Sequence, residues 1–118
     1  IIGGTVRGDR LNGRILDLGA DWQTVYRDGL AHLDTRYAMR TDDGALIDIR
    51  NVGVRHGPDD VIQALARGED VDPSRYYMRT VPRFETGDAR YAWLNRMIAV
   101  GTGARDASAV RLKIYEVL

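Results

Sequence analysis

The sequence predicts an all-β domain, an antiparallel barrel or sandwich with one short helix. Three observations point there. Apolar residues recur with period two along much of the chain, the connections between the alternating segments are short, and 13 glycines punctuate them. Period two sends alternate side chains to opposite faces of a strand, and tight turns and barrel bends use glycine. A barrel also removes the unpaired edges that a small sheet would expose.

The elements follow in order. Ile1–Val6 reads as a strand and shows no basic-leader or cleavage pattern of its own. It resembles the middle of a strand, so an upstream stretch is expected to be missing, and a cytoplasmic location is expected. A second strand lies near Asp21–Arg27. Ala31–Thr41 carries the strongest alternation: Ala31, Leu33, Thr35, Tyr37 and Met39 on one face, His32, Asp34, Arg36, Ala38 and Arg40 on the other. Asp42-Asp43-Gly44 is a turn signal, and Ala45–Val52 is the returning strand. A three-residue loop with Gly44 left-handed sets Met39 opposite Ile47, Tyr37 opposite Ile49, Thr35 opposite Asn51 and Leu33 opposite Gly53. A two-residue loop would mix the faces. On the face so defined, Thr35, Tyr37 and Asn51 are inward polar groups that must bond one another or meet a ligand. Pro58–Gly68 reads as the helix, opened by proline, acidic in its first turn and closed by Gly68. Arg75–Phe84, Met97–Gly103 and Val110–Val117 are further strands, and Arg90–Asn95 a second helical turn.

Composition bounds the function. A chain of 118 residues is one domain, residues 1–118. Its formal net charge of +0 leaves no strong basic patch, so no nucleic-acid partner is expected. There is no cysteine, hence no disulfide, thiolate nucleophile or cysteine zinc site. No apolar run reaches the length of a membrane span, so no membrane partner is expected. His32 and His56 do not form a ligand pair, so no metal is expected; His56 is either a general base or a plain loop residue. Gly3-Gly4 and Gly101-Thr102-Gly103 complete no phosphate loop and read as strand bends, so no cofactor is expected. Ser74 and Ser108 sit in no nucleophile elbow.

Carboxylates, arginines and aromatics remain. Asp21 beside Trp22 is either a proton-transfer acid with a raised pKa or a turn cap. Arg79 and Glu85 lie in one extended segment, where they either bind and protonate an oxygen-bearing substrate or form a structural pair. Trp22 and Trp93 either wall an apolar pocket or plug the core, with Asn95 beside Trp93 supplying a directed hydrogen bond. The candidate catalytic set is therefore Asp21, Glu85 and Arg79. The candidate ligand-binding set is Trp22, Tyr37, Arg50, Asn51, Trp93 and Asn95. The charged face of Asp34, Arg36, Arg40, Asp48 and Arg50 either carries solvated cross-strand pairs or joins two subunits of a homo-oligomer.

Several blocks in sequence carry a further resemblance: Gly19-Ala20-Asp21-Trp22-Gln23, Leu33-Asp34-Thr35-Arg36-Tyr37, Gly53-Val54-Arg55-His56-Gly57-Pro58, Tyr76 through Gly87, and Tyr91-Ala92-Trp93-Leu94-Asn95 closed by Gly101-Thr102-Gly103. In this order they resemble the bacterial and fungal domain of unknown function 3237 family over nearly the whole chain. The resemblance implies a small antiparallel β-barrel of lipocalin or streptavidin type, with one more N-terminal strand than the chain contains. The sequence departs from the family pattern at Asp48, where an aromatic is usual, and at Leu18, where glycine is commoner. The family has no settled activity, so the resemblance implies no catalytic residue. Together these readings give a cofactor-independent lyase, isomerase or cyclase acting on a small oxygenated, partly aromatic molecule in the barrel lumen. The alternative is a barrel that binds such a molecule without chemistry.

Overall fold

The Asp42-Asp43-Gly44 loop sets the register of the central hairpin and, through it, the whole sheet. Gly44 takes a φ of +93°, a left-handed conformation that glycine adopts without strain. The Thr41 N–H donates to the Ala45 carbonyl at 2.9 Å, and the Ala45 N–H donates to Thr41 Oγ1 at 2.8 Å. With that loop closed, Met39 pairs with Ile47, Tyr37 with Ile49, Thr35 with Asn51 and Leu33 with Gly53. This is the register that a three-residue loop predicts.

The computed structural model describes residues 1–106 and 108–118. Its strands are β1 (Gly4–Val6), β2 (Gly13–Ile15), β3 (Ala20–Asp21), β4 (Thr24–Val25), β5 (Ala31–Thr41), β6 (Leu46–His56), β7 (Tyr77–Glu85), β8 (Ile98–Arg105) and β9 (Val110–Val117). They form one antiparallel sheet in the order β1-β2-β5-β6-β7-β8-β9, with β3 and β4 also paired to β5. The short β2, β3 and β4 together serve as one interrupted neighbour along β5. The fold is mainly antiparallel β, curled as a half-barrel. Among the described residues β1 and β9 are not paired to each other, so the wall is open.

Local differences from the sequence reading have physical reasons. The stretch near Asp21–Arg27 divides into β3 and β4, with Trp22-Gln23 between them. Strand β6 continues past Val52 to His56, because Gly53 packs against β7 and does not end the strand. A Cβ on Gly53 would lie 2.2 Å from the Arg79 carbonyl oxygen. The segment Ala89–Arg96 is a 3-10 helix, started by Asp88, whose side chain accepts from the Arg90 N–H. Strand β2 has no sequence signature of its own, since three residues are too few for a period.

Each end of the inner face is closed by a helical segment. Helix α1 (Asp59–Ala66) has Asp59 and Asp60 in its first turn, favourable at the positive end of the helix dipole. It buries Val61 and Leu65 against Ala31, Leu33, Tyr76 and Met78. The 3-10 segment buries Leu94 against Met39, Ile47, Ile49, Phe84 and Ala99. Burying each Leu, Ile or Met contributes roughly 1.5–3 kcal/mol, so these two apolar clusters hold the curl. Between them the inner face changes character.

Candidate functional site

Strand parity builds a polar band between the clusters. Inward positions on neighbouring strands form rows across the sheet. One row is Asp21, Thr35, Asn51 and Pro82. The next is Leu33, Gly53, Thr80, Gly101 and Ile114. The third is Ala31, Arg55 and Met78. Glycine at positions 53 and 101 leaves backbone where side chains would stand, and a Cβ on Gly101 would come 2.6 Å from Thr80 Oγ1.

Three polar side chains in this band are buried: Asn51 at 3% exposure, Thr80 at 5% and Arg55 at 8%. Asn51 Oδ1, Thr80 Oγ1 and Arg55 Nε are buried atoms with no hydrogen-bond partner among the described residues. A native fold leaves few such atoms, because each forfeits its hydration without replacement. The ion pairs among the described residues engage other arginines. Burial, and then the like charge of Arg105, lower the proton affinity of the Arg55 guanidinium; Asp21 and Tyr76 oppose them. The Tyr37 hydroxyl is pushed above its ordinary value by burial, with the Asn51 side chain acting the other way. The band therefore holds a cation, a phenol, an amide and a hydroxyl, with a carboxylate, Asp21, in the same row as Asn51. Asp21 is exposed and accepts from Gln23 Nε2 at 2.8 Å.

The structure brings together Asp21, Tyr37 and Asn51 from the sequence-predicted set. It does not bring Arg79 or Glu85 to them. Met78, Thr80, Pro82 and Phe84 point inward along β7, so Arg79 and Glu85 point outward. That pair is six positions apart, roughly 20 Å of strand. Arg79 Nη1 donates to the Met78 carbonyl at 2.8 Å, and its guanidinium lies 5.0 Å from the Tyr77 ring. Glu85 stands opposite Asp48. The expected acid–arginine team is thus divided between the two faces of the sheet.

Arg50 is also on the outer face. Its Nε and Nη2 donate to the two carboxylate oxygens of Asp34, each at 3.2 Å, and this fork holds Asp34 below the usual carboxylate range. Trp22 is 59% exposed, with the Arg36 guanidinium 5.5 Å from its ring, so it walls no pocket of the inner face. Trp93 packs against the Leu94 cluster and carries Arg10 3.7 Å above its ring. Asn95 accepts from the Thr86 N–H at 2.9 Å and donates to the Thr86 carbonyl at 2.8 Å. That clamp fixes the 3-10 segment to the end of β7.

Arg55 and Thr80 were not singled out by sequence reasoning, although period two carried past Gly53 would have put Arg55 on the face of Asn51. A surface recess of about 530 Å³ lies elsewhere, between His56, Pro58, Ser74, Arg75, Tyr77 and Arg79. Its side chains are solvated: His56 stacks on Tyr77 with ring centres 5.1 Å apart, and both are exposed. Among the described residues no group of three or more His, Cys, Asp or Glu is placed to hold a metal ion. No helix is long and apolar enough to cross a membrane.

Fold and band together define a small, β-barrel-like protein with an unsatisfied polar belt between two apolar ends. The chain belongs to the family described as "Protein of unknown function (DUF3237)", whose model matches residues 1–117. A UPF0311 protein of Rhodopseudomonas palustris strain CGA009 is 45% identical over 118 residues, covering 100% of the chain and 77% of that protein. A crystal structure of a conserved protein of unknown function from R. palustris superposes with a TM-score of 0.97 at 44% identity, covering 99% of the chain and 78% of its own. A crystal structure of a beta-barrel like protein from Acinetobacter baumannii AYE gives 0.82 at 49% identity, covering 97% and 73% respectively.

Proposed function

We propose that the protein binds a small oxygenated organic molecule on its inner face, between the two apolar clusters. The observation that carries this reading is the set of three buried, partnerless polar atoms on Asn51, Thr80 and Arg55. A ligand with oxygens and a hydrogen-bond donor would satisfy all three, and its apolar body would rest against Leu33, Ile49 and Phe84 at the margins of the band. Ligand sites commonly orient a molecule with a few polar groups set among apolar residues. The test is native mass spectrometry of the gently purified chain, followed by extraction. Retention of an unmodified molecule, lost in Asn51→Ala, supports binding. An empty wild type that acquires nothing from a metabolite extract refutes it.

A second reading makes the same site catalytic, as a cofactor-independent lyase, isomerase or cyclase. Asp21 favours it, being a carboxylate in the Asn51 row that acts on the buried Arg55. Asp21 would move the proton while Arg55 stabilises the developing oxyanion. Glu85 and Arg79, on the outer face, have no part in this version. Turnover of the extracted molecule by wild type, abolished in Asp21→Asn with binding intact, is the result expected. Equal turnover by both would exclude Asp21 as the base.

A further inference from the structure

We infer that the molecule held in the polar band is a carboxylate, anchored by Arg55, which also carries a hydrogen-bond donor for Asn51 Oδ1. This rests on the binding reading above and names the ligand class.

The argument begins with Arg55. Arg55 is 8% exposed as a residue, and its Nε is buried and donates to nothing among the described residues. Three titratable groups act on its charge: Arg105 on β8, Asp21 on β3, and Tyr76 ahead of β7. Arg105 repels it. Asp21 is exposed and engaged by Gln23, and forms no ion pair with it. The Tyr76 hydroxyl already accepts from the Arg105 N–H at 2.8 Å. Arg55 thus feels a second arginine and forms no ion pair with a carboxylate among the described residues. A buried arginine left in this state asks for a planar anion, and a carboxylate matches its two-donor fork.

The other end of the band has the complementary requirement. Asn51 Oδ1 has no donor within hydrogen-bond geometry among the described residues, although the Tyr37 phenol acts on the Asn51 side chain. Asn51 and Arg55 lie on one face of β6, four residues and roughly 13 Å apart along the strand. Thr80 lies on the neighbouring strand between them, its hydroxyl beside Gly101 and its methyl beside Gly53. A ligand satisfying both ends carries its carboxylate at one end and a hydroxyl or N–H at the other, with a ring-sized skeleton between. The hydroxyl of Thr80 can donate to an oxygen along that skeleton. Phosphates and sulfates satisfy Arg55 alone and leave Asn51 unpaired.

The experiment is calorimetric titration of the full chain with 3-(4-hydroxyphenyl)propionate, its methyl ester, and 3-phenylpropionate. The free acid is expected to bind about tenfold or more tightly than the ester, and more tightly than the analogue without the phenol. Arg55→Met should erase the acid–ester difference while the thermal midpoint of the free protein holds or rises. Arg55→Lys, which keeps the charge but not the fork, should retain a smaller preference for the acid. Equal affinity of wild type for acid and ester overturns the carboxylate while leaving small-molecule binding standing. A fall of the Arg55→Met midpoint by more than about 8 °C overturns it too, since Arg55 would then be paired within the protein. If no probe binds, the molecule retained in the native mass spectrum or acquired from a metabolite extract decides: a carboxylate upholds the inference, a neutral compound overturns it, and no molecule retained or acquired refutes both readings.

Discussion

Replacing Thr80 by Val tests whether the polar band is built for something other than stability. The two side chains have nearly the same shape, so packing against Gly101 and Gly53 is preserved. What disappears is a hydroxyl that is buried and has no partner. Leaving such a group unsatisfied costs about 1–3 kcal/mol, and removing it returns that amount. For a chain of 118 residues, 1 kcal/mol corresponds to about 4 °C in the thermal midpoint. Thr80→Val is therefore expected to raise the midpoint by about 4 °C or more, while weakening ligand retention. Calorimetry and urea unfolding on ligand-free protein read the stability; native mass spectrometry reads the retention. A loss of stability greater than about 1 kcal/mol would refute the reasoning, because the hydroxyl would then be hydrogen-bonded in the free protein.

Other perturbations check the frame around the site. Gly53→Ala puts a Cβ 2.2 Å from the Arg79 carbonyl oxygen and 2.8 Å from Thr80 Cα, and should destabilise by about 2 kcal/mol or more in urea unfolding. Gly44→Ala meets nothing within 4 Å, so its left-handed φ alone should cost about 1 kcal/mol. Leu94→Ala should cost about 3 kcal/mol by the same assay, reporting how firmly the 3-10 segment closes its end of the sheet. Asp34 titrates below its ordinary value, chiefly through the fork from Arg50. Its contribution is therefore complete above the ordinary carboxylate pKa and is lost as pH falls through the depressed one. NMR titration should show Asp34 moving up toward the ordinary value in Arg50→Gln, and acid unfolding should lose part of its pH dependence in Asp34→Asn.

The legible parts of the fold are those set by local rules. The Asp42-Asp43-Gly44 loop admits one register that keeps the apolar residues together, so the pairing of β5 with β6 and the inward placement of Thr35 and Asn51 followed from sequence. The helix was marked by Pro58, two acids and Gly68. Other features depend on contacts between distant segments. Strands β2, β3 and β4 are two or three residues long and exist because β5 offers them an edge. Arg55 was missed because Gly53 looks like a strand end and because arginine on an apolar face contradicts the usual pattern. That contradiction is what marks it. Arg79 and Glu85 attracted notice as charges near a strand end, but the parity set by Met78 and Phe84 sends both outward. Trp93 and Asn95 have the composition of a pocket wall, yet they support the 3-10 segment. The polar band arises where several strands align, and that alignment is written in no single segment.

An electron-density map of the full-length protein, crystallised without added small molecules after gentle purification, addresses the polar band directly. Density for an organic molecule within hydrogen-bond distance of Asn51 Oδ1, Thr80 Oγ1 and Arg55 Nε is the expected result. A map in which these three atoms are satisfied by protein groups alone would contradict it.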